Sequence, residues 1–166
     1  INGQRPNFDE PKELGLEGVA ESKIRQALDL IKGSELEGSA ILVEDSGIFL
    51  DAFPEWPGAQ SSDVEKEIGL EGIIDRVNES GNSGAEYRAV AILSDGNQTW
   101  KSQGICRGKI SDYPRGSNGF GYDPIFIPEE GSGGTFGELG KEIKNQISHR
   151  KKVMQGLSNL LKPPSR

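Results

Sequence analysis

Two adjacent carboxylates, Glu44 and Asp45, follow the short apolar run Ser39-Ala40-Ile41-Leu42-Val43 and lead into Ser46-Gly47. The run has the length and character of a buried strand. Carboxylates delivered by such a strand are costly to bury unless paired. At a strand end their usual partners are a hard metal ion and its phosphate ligand. Neighbours on a regular strand point to opposite faces, so the pair is expected to converge on one ion only if the strand ends at Ser46-Gly47. One carboxylate then holds Mg²⁺ and the other activates a water. The competing reading is a solvated turn, because Asp-Ser-Gly is common turn chemistry. The motif alone divides evenly between the two.

A second constellation is Gly116-Ser117-Asn118-Gly119-Phe120-Gly121-Tyr122-Asp123-Pro124. Glycines on both sides of Phe120 allow a close backbone approach to a flat ligand. Phe120 and Tyr122 offer stacking faces, and Asp123 can accept a hydrogen bond. A glycine-rich loop pinned by two core aromatics is the alternative. A third constellation is Ser148-His149-Arg150-Lys151-Lys152. Ser148 is a good N-cap for a terminal helix. Cations in a first turn oppose the helix dipole, and that conflict suggests phosphate binding rather than stability. A helix starting near Lys141 would remove the conflict, and a solvated basic face is the bland alternative. Carboxylates for a metal, a ring platform and a basic helix start together make the parts list for a nucleotide.

The elements that must position these residues are legible in outline. Ala20, Ile24, Ala27, Leu28 and Ile31 fall at helical spacing between Leu16 and Ile31. The expected order continues with the strand into Asp45, an extended piece at Phe49 to Phe53 and a turn at Pro54 to Gly58. A helix capped by Ser61-Ser62-Asp63 to Ile68 follows, with another from Leu70 to Val77. Then come a strand from Tyr87 to Leu93, a hairpin turn at Ser94 to Asn97, and a strand from Gln98 to Cys106. Lys109 to Ser111 is a further extended piece, and Pro124 to Pro128 a strand. The last helix places Val153, Met154, Leu157, Leu160 and Leu161 on one face. Mixed helices and strands predict an α/β or α+β sandwich.

The chain has 166 residues, enough for one domain with a real core. Its net charge of −7 disfavours a nucleic-acid backbone or an anionic membrane surface as partner. Lys141, Lys144, His149, Arg150, Lys151 and Lys152 concentrate positive charge locally, which suits a small polyanion. No apolar run reaches the roughly 18 residues of a membrane span, and the start, Ile1-Asn2-Gly3-Gln4-Arg5, is not a signal peptide. The single cysteine, Cys106, forms no internal disulfide. A cytoplasmic protein is expected.

Read in order, these motifs resemble the inosine-triphosphate pyrophosphatase family, most of all its archaeal branch. The matching segments are Val43 to Gly47, Phe53 to Ser62 with Pro57-Gly58, and Ile68-Gly69-Leu70-Glu71-Gly72-Ile73. Further on come Arg115-Gly116 with Gly119 to Phe126, Thr135-Phe136-Gly137-Glu138-Leu139, and Lys144-Asn145-Gln146-Ile147-Ser148-His149-Arg150. The resemblance implies an elongated α/β fold, a mixed sheet flanked by helices with an active-site cleft, usually as a homodimer. It implies a Mg²⁺-dependent split of the α–β phosphoanhydride of ITP, dITP or XTP into a monophosphate and pyrophosphate.

The resemblance makes Asp45 the catalytic base or metal-linked carboxylate, and Glu44 and Glu10 metal ligands. Ser46 would touch substrate, and Phe120, within Gly121-Tyr122, would stack on the base with Asp123 near its edge. Lys144, His149 and Arg150 would complete the nucleotide site, the last two reading the purine 6-keto group. Two departures stand out. The family opens with a strand and a Gly-Asn-x-x-Lys-type loop that cradles phosphate, and this sequence starts beyond them, as one domain over 1–166. Ile143 replaces a family glutamate. A non-catalytic nucleotide binder and an enzyme releasing a single phosphate are the alternative readings.

Overall fold

The computed structural model describes residues 6–162. The opening segment Ile1-Asn2-Gly3-Gln4-Arg5 lies outside the described residues, as do the readings placed on it. The described chain runs α1 (Gly15–Ile31), β1 (Ile41–Leu50), β2 (Phe53–Pro57), α2 (Ser61–Ser80), β3 (Gly84–Ser94) and β4 (Thr99–Ile110). β5 (Phe126–Pro128), α3 (Lys141–Ile147) and α4 (His149–Leu161) follow. Five strands form one sheet in the order β2-β1-β3-β4-β5, and every described pairing is antiparallel. The expected α/β fold with a sheet flanked by helices forms, but among the described residues the sheet is antiparallel throughout rather than mixed.

Strand alternation sorts the two faces. Val43 and Phe49 of β1, with Val90 and Ile92 of β3, pack under Leu16, Ala20 and Ile24 of α1. Ala89 and Ala91 pack on the opposite face against Val153 and Leu157 of α4. Small residues there let the helix come close. A Cβ on Gly104 of β4 would sit 2.2 Å from the His149 carbonyl oxygen and 2.4 Å from the Val153 nitrogen. The largest cluster joins Ile48, Leu50, Tyr87, Cys106 and Ile110 of the sheet to Val64, Ile73, Ile74 and Val77 of α2. Tyr122, Ile125, Phe126 and Phe136 close it.

Several sequence expectations change. β1 does not end at Ser46-Gly47. It continues to Leu50, in unbroken register with β3 from Ile41↔Ser94 to Leu50↔Ala85. Pro54 to Pro57, read as a turn, lie in β2. This strand meets β1 only at Phe49↔Pro57 and Leu50↔Phe53, and such an edge tolerates proline. Lys109-Ile110 end β4 rather than adding a strand. On α4, Val153 and Leu157 are buried, but Met154, Leu160 and Leu161 are exposed. Gly69, at φ 68°, breaks α2 where the sequence separates its two helices.

One edge is open. From Ile41 to Gly47, β1 has β3 on one side and no strand on the other among the described residues.

Candidate active site

Glu44 and Asp45 reach one cavity although β1 runs on past them to Leu50. Glu44 and Asp45 point to opposite faces, as regular alternation demands. Glu44 accepts from Arg150 Nε at 3.3 Å on the α4 face. Asp45 accepts from Lys23 Nζ at 2.8 Å on the α1 face. Yet both line one cavity of about 360 Å³, with Ser46, Ser61, Glu65, Phe120 and Arg150 also in its wall. Among the described residues no second strand stands between them.

Lys23 organises the α1 side. Its ammonium lies 2.7 Å from Glu10 Oε1 and 2.8 Å from Asp45 Oδ1. Burial opposes its charge, but the bonds to Asp45 and Glu10 outweigh that and raise its pKa. The Asp45 carboxyl is pushed above the ordinary range, chiefly by burial, and further by Glu10 and Glu44. The Lys23 bond pulls it back only in part. Two carboxylates thus converge on one cationic point. Among the described residues no three His, Cys, Asp or Glu side chains gather closely enough to hold a metal by themselves. Mg²⁺ commonly takes one or two carboxylates plus substrate phosphate oxygens, so the oxygen donors of Glu10 and Asp45 fit such an ion.

The α4 side is built by a break between helices. Ser148, at φ −67° and ψ 155°, ends α3 and caps α4, accepting from Lys151 N at 3.3 Å. The expected cap and the conflict of cations at a helix start are therefore both present. His149 and Arg150, first in α4, turn toward the sheet. Arg150 donates to Glu44 and, from Nη2, to Ser46 Oγ at 3.2 Å. Its guanidinium carbon lies 5.1 Å from the Phe120 ring centroid. Lys144 Nζ lies 5.1 Å from the same centroid. Phe120 itself is 64 % exposed, an apolar ring left bare between two cations.

A second cavity of about 290 Å³ shares Ser46, Tyr87, Phe120 and Arg150 with the first and adds Asp123, Lys144, Asn145 and His149. His149 is only 5 % exposed. Burial, with Arg150 and Lys144 nearby, lowers its pKa from 6.5 to about 3, so the imidazole is neutral at pH 7. Its Nδ1 is buried without a hydrogen-bond partner.

Two residues of the glycine-rich loop are buried beneath it. Tyr122 offers no stacking face: it is buried, and its hydroxyl donates to the Ser61 carbonyl at 2.8 Å. Asp123 is 3 % exposed and serves the loop from beneath. It accepts from Phe120 N at 2.8 Å and pairs with Lys144. A Cβ on Gly119 would meet its Oδ2 at 1.9 Å, and Gly119 and Gly121 both have positive φ. The glycines thus permit the turn that presents Phe120.

Sequence reasoning passed over Lys23, Glu65 and Tyr87. Lys23 carried a signal: it stands at helical spacing from Leu16, Val19, Ala20 and Ala27, a lone charge on an apolar stripe. Glu65 lines the first cavity and makes no hydrogen bond or ion pair among the described residues. Nothing in its local sequence marks it.

This geometry has known counterparts. The model of the Ham1 family matches residues 2–160. A protein of Methanopyrus kandleri named dITP/XTP pyrophosphatase is 44% identical over 123 residues, 74% of this chain and 65% of its own length. An inosine triphosphate pyrophosphatase of Candida glabrata is 36% identical over 149 residues, 89% of this chain and 74% of its own. The chain thus spans just under two thirds of the length of the archaeal relative. Among solved structures, the Staphylococcus aureus Ham1 protein superposes with a TM-score of 0.81 at 27% identity, covering 94% of this chain and 80% of that one. A family match along nearly the whole sequence, with the fold shared by a solved Ham1 structure, leaves one assignment: the chain belongs to the Ham1 family.

Proposed function

We propose that this chain hydrolyses non-standard purine nucleoside triphosphates, ITP, dITP and XTP, to the monophosphate and pyrophosphate. The observation that carries this reading is the bare Phe120 ring, flanked by Lys144 and Arg150, with neutral His149 in the same cleft and Asp45 at its other end. The names of the archaeal and yeast relatives support it. A purine base stacks on Phe120, a contact worth about 1–3 kcal/mol. Arg150 is a pure donor, so it accepts a 6-keto oxygen as partner and disfavours a 6-amino group.

Glu10 and Asp45 would hold Mg²⁺, with Glu44 nearby. The ion supplies charge neutralisation on the phosphate oxygens. Asp45 takes the proton of the attacking water. Lys23, released from Asp45 and Glu10, remains within reach of phosphate. Ser46 orients Arg150 through its hydroxyl. The homodimer and the cytoplasmic setting belong to the same proposal.

The test is pyrophosphate release from ITP, XTP and ATP with and without Mg²⁺. Release from ITP and XTP well above ATP, and dependent on Mg²⁺, is expected. Equal turnover of ATP, or orthophosphate as the product, overturns the reading.

A further inference from the structure

His149 starts a helix, where a side chain is ordinarily held by hydrogen bonds or left to solvent. Among the described residues neither of its ring nitrogens bonds a protein atom, and Nδ1 is buried. A functional imidazole is usually oriented by the hydrogen bond its second nitrogen makes. Here that device is missing, and the ring is fixed by something else. It lies flat on Tyr87, with ring centroids 4.6 Å apart and planes 11° from parallel.

Tyr87 is itself immobilised. Phe136 stacks with it at 6.0 Å and 24°, and Phe126 meets it edge-on at 4.7 Å and 66°. Phe126 and Phe136 are fully buried, so the stack stands on the centre of the core. Tyr87 also lines both cavities of the cleft. Its hydroxyl reaches Asp123 Oδ1 only at 3.4 Å, long for an O–H···O bond, so the ring rather than the hydroxyl carries the effect.

We propose that Tyr87 is the positioning residue of the base pocket, its ring setting the height and plane of the His149 imidazole that faces the nucleotide base. The proposal rests on the nucleotide reading above and adds to it a residue that acts through His149. It also explains why Nδ1 can stay unpartnered: stacking holds the ring without a hydrogen bond there.

His149 is the only histidine in the chain, so its ring protons give one assignable set of NMR signals. Those signals are expected to be shifted upfield by the Tyr87 ring current in the wild type, to remain so in Tyr87→Phe, and to lose the shift in Tyr87→Leu. Binding of inosine monophosphate, measured by calorimetry, is expected to weaken about fivefold in Tyr87→Leu and to recover in Tyr87→Phe. KM for ITP should rise in parallel while kcat holds. Should Tyr87→Leu fail to fold, Tyr87→Met fills a similar volume without a ring and serves the same comparison. No upfield shift in the wild type, or wild-type affinity in the ring-less variant, overturns the proposal. So does a wild type that binds no inosine monophosphate. Failure of the enzymatic reading looks different: the wild type binds inosine monophosphate, the shift pattern stands, and no pyrophosphate appears.

Discussion

Asp45 and Phe120 mark the two ends of the cleft, and they differ in what their removal should do. Asp45→Asn keeps the shape and the Lys23 contact but removes the base. Turnover of ITP is expected to fall at least about a hundredfold, with the melting temperature little changed. A near-normal rate would remove Asp45 from that role. Phe120 is exposed, so Phe120→Ala leaves the fold intact and takes away the platform. KM for ITP should rise by the equivalent of about 1–3 kcal/mol with kcat less affected. At this scale the sequence was informative about residue types and poor about partners. Phe120, His149 and Arg150 could be singled out from their motifs. The link from Arg150 to Glu44 spans 106 positions, and no local pattern reports it. Asp123 lines the cavity beside Phe120, but its hold on Phe120 N and on Lys144, 21 positions away, is equally silent in the local sequence.

Among the elements, β1 and α4 do most to assemble the cleft. α4 sits close on β4 because Gly104 has no side chain there. Gly104→Val is expected to push the start of α4 outward and destabilise the protein by about 1–3 kcal/mol. Since His149 and Arg150 ride on that turn, nucleotide affinity should fall in the same variant, read by calorimetry beside a denaturation curve. A helix that shifted with no change in affinity would argue against α4 as the carrier of the base pocket. α1, the Ser148 break and the Gly69 kink were all legible, because spacing, cap and positive-φ glycine are local signals. The course of β1 was not. Ser46-Gly47 looked like a stop, but Gly47 serves close packing instead: a Cβ there would lie 2.1 Å from the Gly58 carbonyl oxygen. Local sequence cannot tell a glycine that turns the chain from one that lets a neighbouring backbone in.

For the molecule as a whole, buried neutral His149 links stability to acidity. Its pKa falls from 6.5 in the unfolded chain to about 3 when folded. The unfolded state therefore binds the extra proton between those values, and its contribution to stability is complete above pH 6.5 and lost as pH drops toward 3. The slope from this one group approaches about 1.4 kcal/mol per pH unit. His149→Gln should flatten that part of the profile in denaturant titrations run from pH 7 to pH 4. An unchanged slope would mean that carboxylates alone govern acid unfolding. The open edge of β1 has a consequence of its own. In deuterium oxide the alternate amides of Ile41 to Gly47 that face β3 are expected to exchange slowly, and those on the side unpaired among the described residues early. The backbone that bears Glu44 and Asp45 thus carries a built-in isotope label, in which anything that covers that edge is recorded residue by residue.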